Sequence, residues 1–157
     1  MNYRTISSLC GGFLLAVLWF DLKFDLLVLD QLVDRGDVDR EALAGIKAYY
    51  ARALGTEMAG FPLIMTMMFL SVVATLVQYK DDCLVAWTWL ASLLLLVPPI
   101  LLAIVRVVPN AGKLADSDAD YRQQLDLADA ILQDHLFCFA SISCFLVLQL
   151  YRTREQR

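Results

Sequence analysis

Four runs without a charged residue punctuate the chain: Ile6–Phe20, Met58–Tyr79, Cys83–Val105 and Leu136–Tyr151. They hold fifteen, twenty-two, twenty-three and sixteen residues. The hydrocarbon core of a bilayer takes about twenty residues of helix, each advancing about 1.5 Å. The second and third runs are long enough alone. The first and fourth are about a turn short, so each must draw in charged neighbours, tilt, or thin the bilayer. The pattern predicts an all-α, integral membrane, antiparallel four-helix bundle forming one unit over residues 1–157, with spans near 6–27, 58–79, 83–106 and 131–151.

Four spans alternate in direction. The end of the first, the start of the second, the end of the third and the start of the fourth therefore share one side. Both short runs are extended by acids at that shared side: Asp21 and Asp25 on the first, Asp134 beside His135 on the fourth. Two longer segments lie there as well. "DVDREALAGIKAYYARALGTE" sets Leu43, Ile46, Tyr50 and Leu54 at helical spacing, and Asp37 or Asp39 is placed to cap its start. "DSDADYRQQLDLADAILQDHL" sets Tyr121, Leu125, Ala128 and Leu132 on one face, with Ser117 as its cap. These segments predict that helices two and four run on beyond the bilayer, the first segment leading straight into span two.

Composition agrees with this picture. The chain is 59% hydrophobic with a mean hydropathy of +0.59, and the excess sits in the long runs. A net charge of −4 and a pI near 4.8 exclude a nucleic-acid binder, which needs a basic patch. Cys10, Cys83, Cys138 and Cys144 form no C-x-x-C pair and read as buried small hydrophobes. No A-x-A-like cleavage site follows the first run, so that span is expected to be retained. Arg4, Lys80, Arg152, Arg154 and Arg157 crowd short segments beside the termini, and this density places both termini on the cytoplasmic side.

The candidate chemistry gathers at the opposite side. Asp21 and Asp25, four residues apart, lie on nearly one helix face and repel unless a proton or a cation intervenes. Lys23 lies on the opposite face and can snorkel. Glu57 opens the second span, Arg106 and Asn110 close the third in "VRVVPNAGKL", and Asp129, Asp134 and His135 lead into the fourth. Ionisable groups in a membrane point to function, with a partner to be named; Arg106 is the expected partner of Asp21 or Asp25. The alternative is an interfacial charge belt. His135 is the single histidine, so a bis-histidine haem or a Glu-x-x-His metal pair is excluded. A one-histidine set with Asp21, Asp25 and Asp134 carries no specificity, and no metal or cofactor is expected. Beside Asp134, His135 suits proton transfer. Pro98 and Pro99 break the hydrogen bonding of span three and either shape a cavity or merely kink the helix. Trp87, Trp89 and Tyr79 fit an interfacial aromatic belt.

"GGFLLAVLWFDLKFD", "RVVPNAGKLA" and "ILQDHLFCFASI", in this order on a four-span chain, resemble the anthrone-oxygenase-like family of small membrane proteins. The resemblance implies a four-helix membrane bundle, in a few relatives associated with cofactor-free oxidation of polycyclic anthrones. Asn110 and His135 are the matching positions; Ile131 and Cys138 stand where the family pattern has Trp and Arg.

Three functions follow from these readings. One is a non-catalytic or accessory bundle, self-associating or not, whose charges set span position. The second is a membrane enzyme acting on an apolar ring substrate, with His135 and Asp134 or Asp21 as acid–base groups and Asn110 and Arg106 stabilising an enolate-like oxygen. The third is a cation- or proton-coupled carrier using Asp21 and Asp25. The expected partners are the lipid bilayer, an apolar small molecule and a second copy of the chain.

Overall fold

The computed structural model describes residues 3–35, 40–55, 60–81, 86–116 and 120–154. Glu57, Cys83 and the expected caps Asp37, Asp39 and Ser117 lie outside these residues. The elements are α1 (Tyr3–Arg35), α2 (Arg40–Leu54), α3 (Gly60–Asp81), α4 (Ala86–Leu102), a π-turn (Ala103–Val107), α5 (Val108–Asp116) and α6 (Tyr121–Arg154). Four stretches are long and apolar enough to cross a membrane: Thr5–Leu26, Gly60–Gln78, Trp87–Asp116 and Tyr121–Tyr151. The chain is an all-α, multi-pass membrane bundle.

The short first run is resolved by continuity. α1 passes through Asp21 and Asp25 without a break and reaches 33 residues, about 50 Å of helix against about 30 Å of hydrocarbon. α6, with 34 residues, does the same for the fourth run. The segment ahead of span two is helical as its spacing predicts, but it is a helix of its own. α2 closes at Leu54, where the Gly55 amide donates to the Arg52 carbonyl at 3.2 Å. Its apolar face does not continue α3. It packs on α5 and α6, so that Leu43, Ile46 and Tyr50 are buried with Val107, Ala111, Leu114, Ala128 and Ile131.

Inside the spans a second core joins Leu14, Leu96, Ile142 and Phe145. Large apolar side chains such as Leu9, Phe69, Leu94, Val105 and Val147 point outward, as lipid requires. Small polar residues point inward instead: Ser7, Ser71, Thr75, Ser92 and Gln149 are fully buried. Ser7 and Thr75 share a 3.0 Å hydrogen bond between α1 and α3, and Gln149 Nε2 donates to Ser92 Oγ at 3.3 Å between α6 and α4. In lipid no hydrophobic force drives helices together, so close backbone approach and such bonds hold them. Trp87 is exposed as a belt residue should be, whereas the Trp89 indole turns to the bundle and donates to the Thr75 carbonyl at 3.0 Å.

Pro98 and Pro99 do not end α4. The helix runs through both and then widens into the π-turn, whose register is marked by the Val108 amide donating to the Ala103 carbonyl. Pro98 and Pro99 leave the carbonyls of Leu94 and Leu95, a turn earlier, without their helical amides, and Pro109, just past the π-turn, lacks a third.

α1 meets α6 most closely at Gly11, where an added Cβ would lie 3.1 Å from a Phe145 ring carbon. Phe145 is fully buried and has nowhere to move. Gly11→Val is expected to lower the unfolding midpoint by an overpacking cost of about 1–3 kcal/mol. Gly12→Ala, which faces open space, should leave stability unchanged or slightly raised; thermal unfolding in lipid nanodiscs separates the two.

Candidate functional site

The end of the bundle where the acids gather holds a chain of buried polar contacts. Asp25 on α1 is 4% exposed, His135 on α6 is 5% exposed, and His135 Nδ1 lies 2.6 Å from Asp25 Oδ2. The other oxygen, Oδ1, accepts a 2.7 Å hydrogen bond from the Tyr50 hydroxyl of α2. One turn earlier on α1, Asp21 Oδ1 accepts the Tyr49 hydroxyl at 2.5 Å. The Tyr49 ring stacks on Phe24 with centroids 4.3 Å apart and meets Tyr50 edge-on at 5.3 Å. The repulsion between two carboxylates at i and i+4 is thus answered by two phenols and an imidazole. Among the described residues no group of three or more His, Cys, Asp and Glu side chains is arranged to hold a metal.

A cavity of about 170 Å³ lies beneath this network. α1 contributes Leu14, Val17, Leu18 and Asp21, and α2 closes the end with Tyr49, Tyr50, Ala53 and Leu54. α3 supplies Phe61, Ile64, Met65 and Met68. Pro99, Ile100, Ala103, Ile104 and Val107 come from α4 and the π-turn, and His135, Cys138 and Ile142 from α6. The wall is apolar apart from Asp21, the two tyrosine hydroxyls, His135 and the Cys138 thiol. That thiol is turned to the Pro99 carbonyl, 3.6 Å away.

Tautomer assignment follows from the partners. A carboxylate only accepts, so Nδ1 carries the proton in the His135–Asp25 bond. In the neutral tautomer that this bond selects, the lone pair lies on Nε2, which no hydrogen bond reaches among the described residues. Burial, and then the charge and hydrogen bond of Asp25, push the Tyr50 phenol well above the usual tyrosine range. Burial, then the hydrogen bond and charge of Asp21, do the same to Tyr49. Both hydroxyls are therefore standing donors across the neutral range.

Several sequence expectations are corrected by this geometry. Arg106 does not pair with Asp21 or Asp25. Its Nε lies 3.3 Å from Asp134 Oδ2, and the Arg106 side chain is 54% exposed. That contact is one of charge, since Asp134 Oδ2 makes no aligned hydrogen bond. His135 pairs with Asp25, not with its neighbour Asp134. One physical reason covers both: consecutive helix residues diverge by about 100°. Val107 and His135 take the positions on the cavity, and Asp134, equally buried but outside the cavity wall, meets the exposed Arg106. Asn110 is half-buried and outside the cavity wall, where Ala111 stands instead, so neither Arg106 nor Asn110 is placed to stabilise an oxygen in it. Asp129 is exposed and bonded to Gln133 at 2.8 Å. Lys23 lies over the Trp19 ring at 5.4 Å. Cys10 and Cys138 are buried as expected, but Cys144 faces outward.

Tyr49 and Tyr50 are the residues that sequence reasoning missed as polar partners. Their signal was present: adjacent tyrosines on an amphipathic helix bring an apolar ring and one donor each, close in sequence to two carboxylates lacking donors. Comparison with protein-family profiles, curated proteins and solved structures finds no match for this chain. The fold and site define a multi-pass membrane protein with a histidine in the wall of a largely apolar cavity, hydrogen-bonded to a buried aspartate outside that wall.

A phenol raised by folding keeps its proton after the unfolded chain has released its own. The stability it confers is complete below about pH 10 and is lost as pH climbs beyond. Tyr50→Phe is expected to cost about 1–3 kcal/mol at neutral pH, because a buried carboxylate loses a donor. It should also flatten the alkaline decline; an unfolding series from pH 7 to about 11 with the wild-type slope would contradict that origin.

Proposed function

We propose that this protein binds an apolar, ring-bearing small molecule in the cavity and exchanges a proton with it at His135 Nε2. The single observation that carries the reading is the 2.6 Å His135–Asp25 bond, with the imidazole in a mostly apolar cavity wall. An acidic O–H or activated C–H of the ligand gives its proton to Nε2, and Nδ1–H stays on Asp25. The products are the ligand anion and an imidazolium, and the buried Asp25 carboxylate stabilises the latter. Tyr50 holds Asp25 from its second oxygen, so the base is oriented before a ligand arrives. The low-dielectric surroundings strengthen each of these interactions. The resemblance to the anthrone-oxygenase-like family supports the same kind of occupant, a polycyclic ring, with His135 at one of the two matching positions.

A second reading is favoured by one observation: Tyr49 and Tyr50 satisfy Asp21 and Asp25 with no ligand present. In that reading the network is a clamp that docks α2 on α1, and the protein is an accessory bundle.

A chromophoric one-ring phenol, 4-nitrophenol, distinguishes them, because its absorbance reports loss of its proton. With the protein in nanodiscs, bound probe is expected to shift toward the anion. The anion fraction should fall about tenfold in Asp25→Asn and vanish in His135→Ala, with smaller changes in affinity. Equal anion fractions in His135→Ala and wild type would sink the proton-transfer role, and absence of any probe binding to wild type would favour the clamp.

We also place both termini in the cytoplasm, on the density of Lys and Arg beside them. In a cysteine-free background, Lys80→Cys should react with an impermeant thiol reagent from the cytoplasmic side and Lys113→Cys from the opposite side. The reverse pattern overturns the assignment.

A further inference from the structure

The cavity is closed unevenly. Its back wall, formed by Leu14, His135, Cys138 and Ile142, is buried. Toward the shared acidic end it is roofed by α2, whose buried face is sealed onto α5 and α6. Its remaining wall is different. α3 packs closely on α1 and α4, but makes no comparable contact with the π-turn or α5 among the described residues. The lining residues bordering this gap, Phe61, Ile64 and Met65 on one side and Ile104 on the other, are half-buried or exposed. Ile104 is 43% exposed, and the residues flanking the gap on the outside, Leu63, Leu101 and Val105, are exposed and apolar. All of them belong to stretches of membrane-spanning length and hydropathy, so the gap opens among lipid-facing side chains and not beside water.

Resting on the ring-binding reading above, we infer that the ligand is a ring-headed amphiphile that enters sideways from the acyl layer, through a slot between α3 and the π-turn, and leaves its apolar tail in the lipid. Two observations set this class. About 170 Å³ is close to the roughly 150 Å³ that holds a benzene ring, so one ring fills the chamber and a longer molecule must project from it. The polar groups of the wall cluster at the α2 end, with both tyrosine hydroxyls already donated. One polar substituent on the ring, facing His135, is therefore matched, while the slot is matched only by hydrocarbon. The π-turn forms this edge of the slot with Ala103 and Ile104, both in the cavity wall.

The test is a tail-length series of 4-alkylphenols, from 4-methylphenol to 4-octylphenol, bound to the protein in nanodiscs and expressed against membrane-phase concentration. Affinity is expected to stay level or rise with tail length. Ile104→Trp, which fills the slot, should weaken 4-octylphenol at least tenfold, while Leu94→Trp, exposed on α4 but outside the cavity wall, should not. Binding of 4-methylphenol with exclusion of 4-octylphenol overturns the sideways entry and leaves the ring site standing. Wild-type affinity for 4-octylphenol in a folded Ile104→Trp also overturns it. Failure of both phenols to bind wild type removes the ring site itself, and the entry route with it. Should Ile104→Trp not fold, the tail-length series on the wild type decides alone.

Discussion

The Asp25 carboxylate is the constraint around which this bundle is organised. A carboxylate 4% exposed within a membrane helix cannot be left to itself, since burial without donors costs several kcal/mol. Its two oxygens are satisfied from two different helices, Tyr50 of α2 and His135 of α6. Those bonds form only when α1 and α6 are in one rotational register and α2 lies across the end of the bundle. The register, the docking of α2 and the roof of the cavity are thus consequences of satisfying one side chain.

The rest of the interior is graded along the membrane normal. At the end near the termini, hydroxyl and amide groups tie helix to helix, with Ser7 on Thr75 and Gln149 on Ser92. Gly11 lets α1 approach the fully buried Phe145. Toward the other end the packing loosens into the cavity, and beyond it the tyrosine–carboxylate–imidazole network closes the bundle. A tight polar half and an open apolar half under a polar roof are what the proposed binding of an apolar guest calls for.

The paired prolines belong to the same design. Pro98 and Pro99 withhold two amides from the carbonyls a turn before them, yet α4 runs through both to Leu102. The π-turn they lead into adds a residue, turns Val107 inward, leaves Arg106 to Asp134 outside the cavity wall, and widens the helix beside the chamber. Pro99, Ala103, Ile104 and Val107 all line the chamber, so the prolines and the π-turn form one stretch of its wall.

Much of this was legible in the chain itself. The four apolar runs, the two that are a turn short, and the acids placed at one end determine an all-α membrane bundle with a polar end, because helix rise and bilayer thickness leave few alternatives. The apolar spacing of Leu43, Ile46, Tyr50 and Leu54 likewise determined that α2 would be a helix with one buried face. The partners were decided only by the tertiary structure. Asp25 and His135 are 110 residues apart, and which of Asp134 and His135 faces inward depends on the rotation of α6 about its axis. A change of about 100° exchanges neighbours on a helix. Sequence periodicity defines a face only to about that precision, and it took the packing of α1, α2 and α6 together to choose His135 over Arg106 as the partner of Asp25.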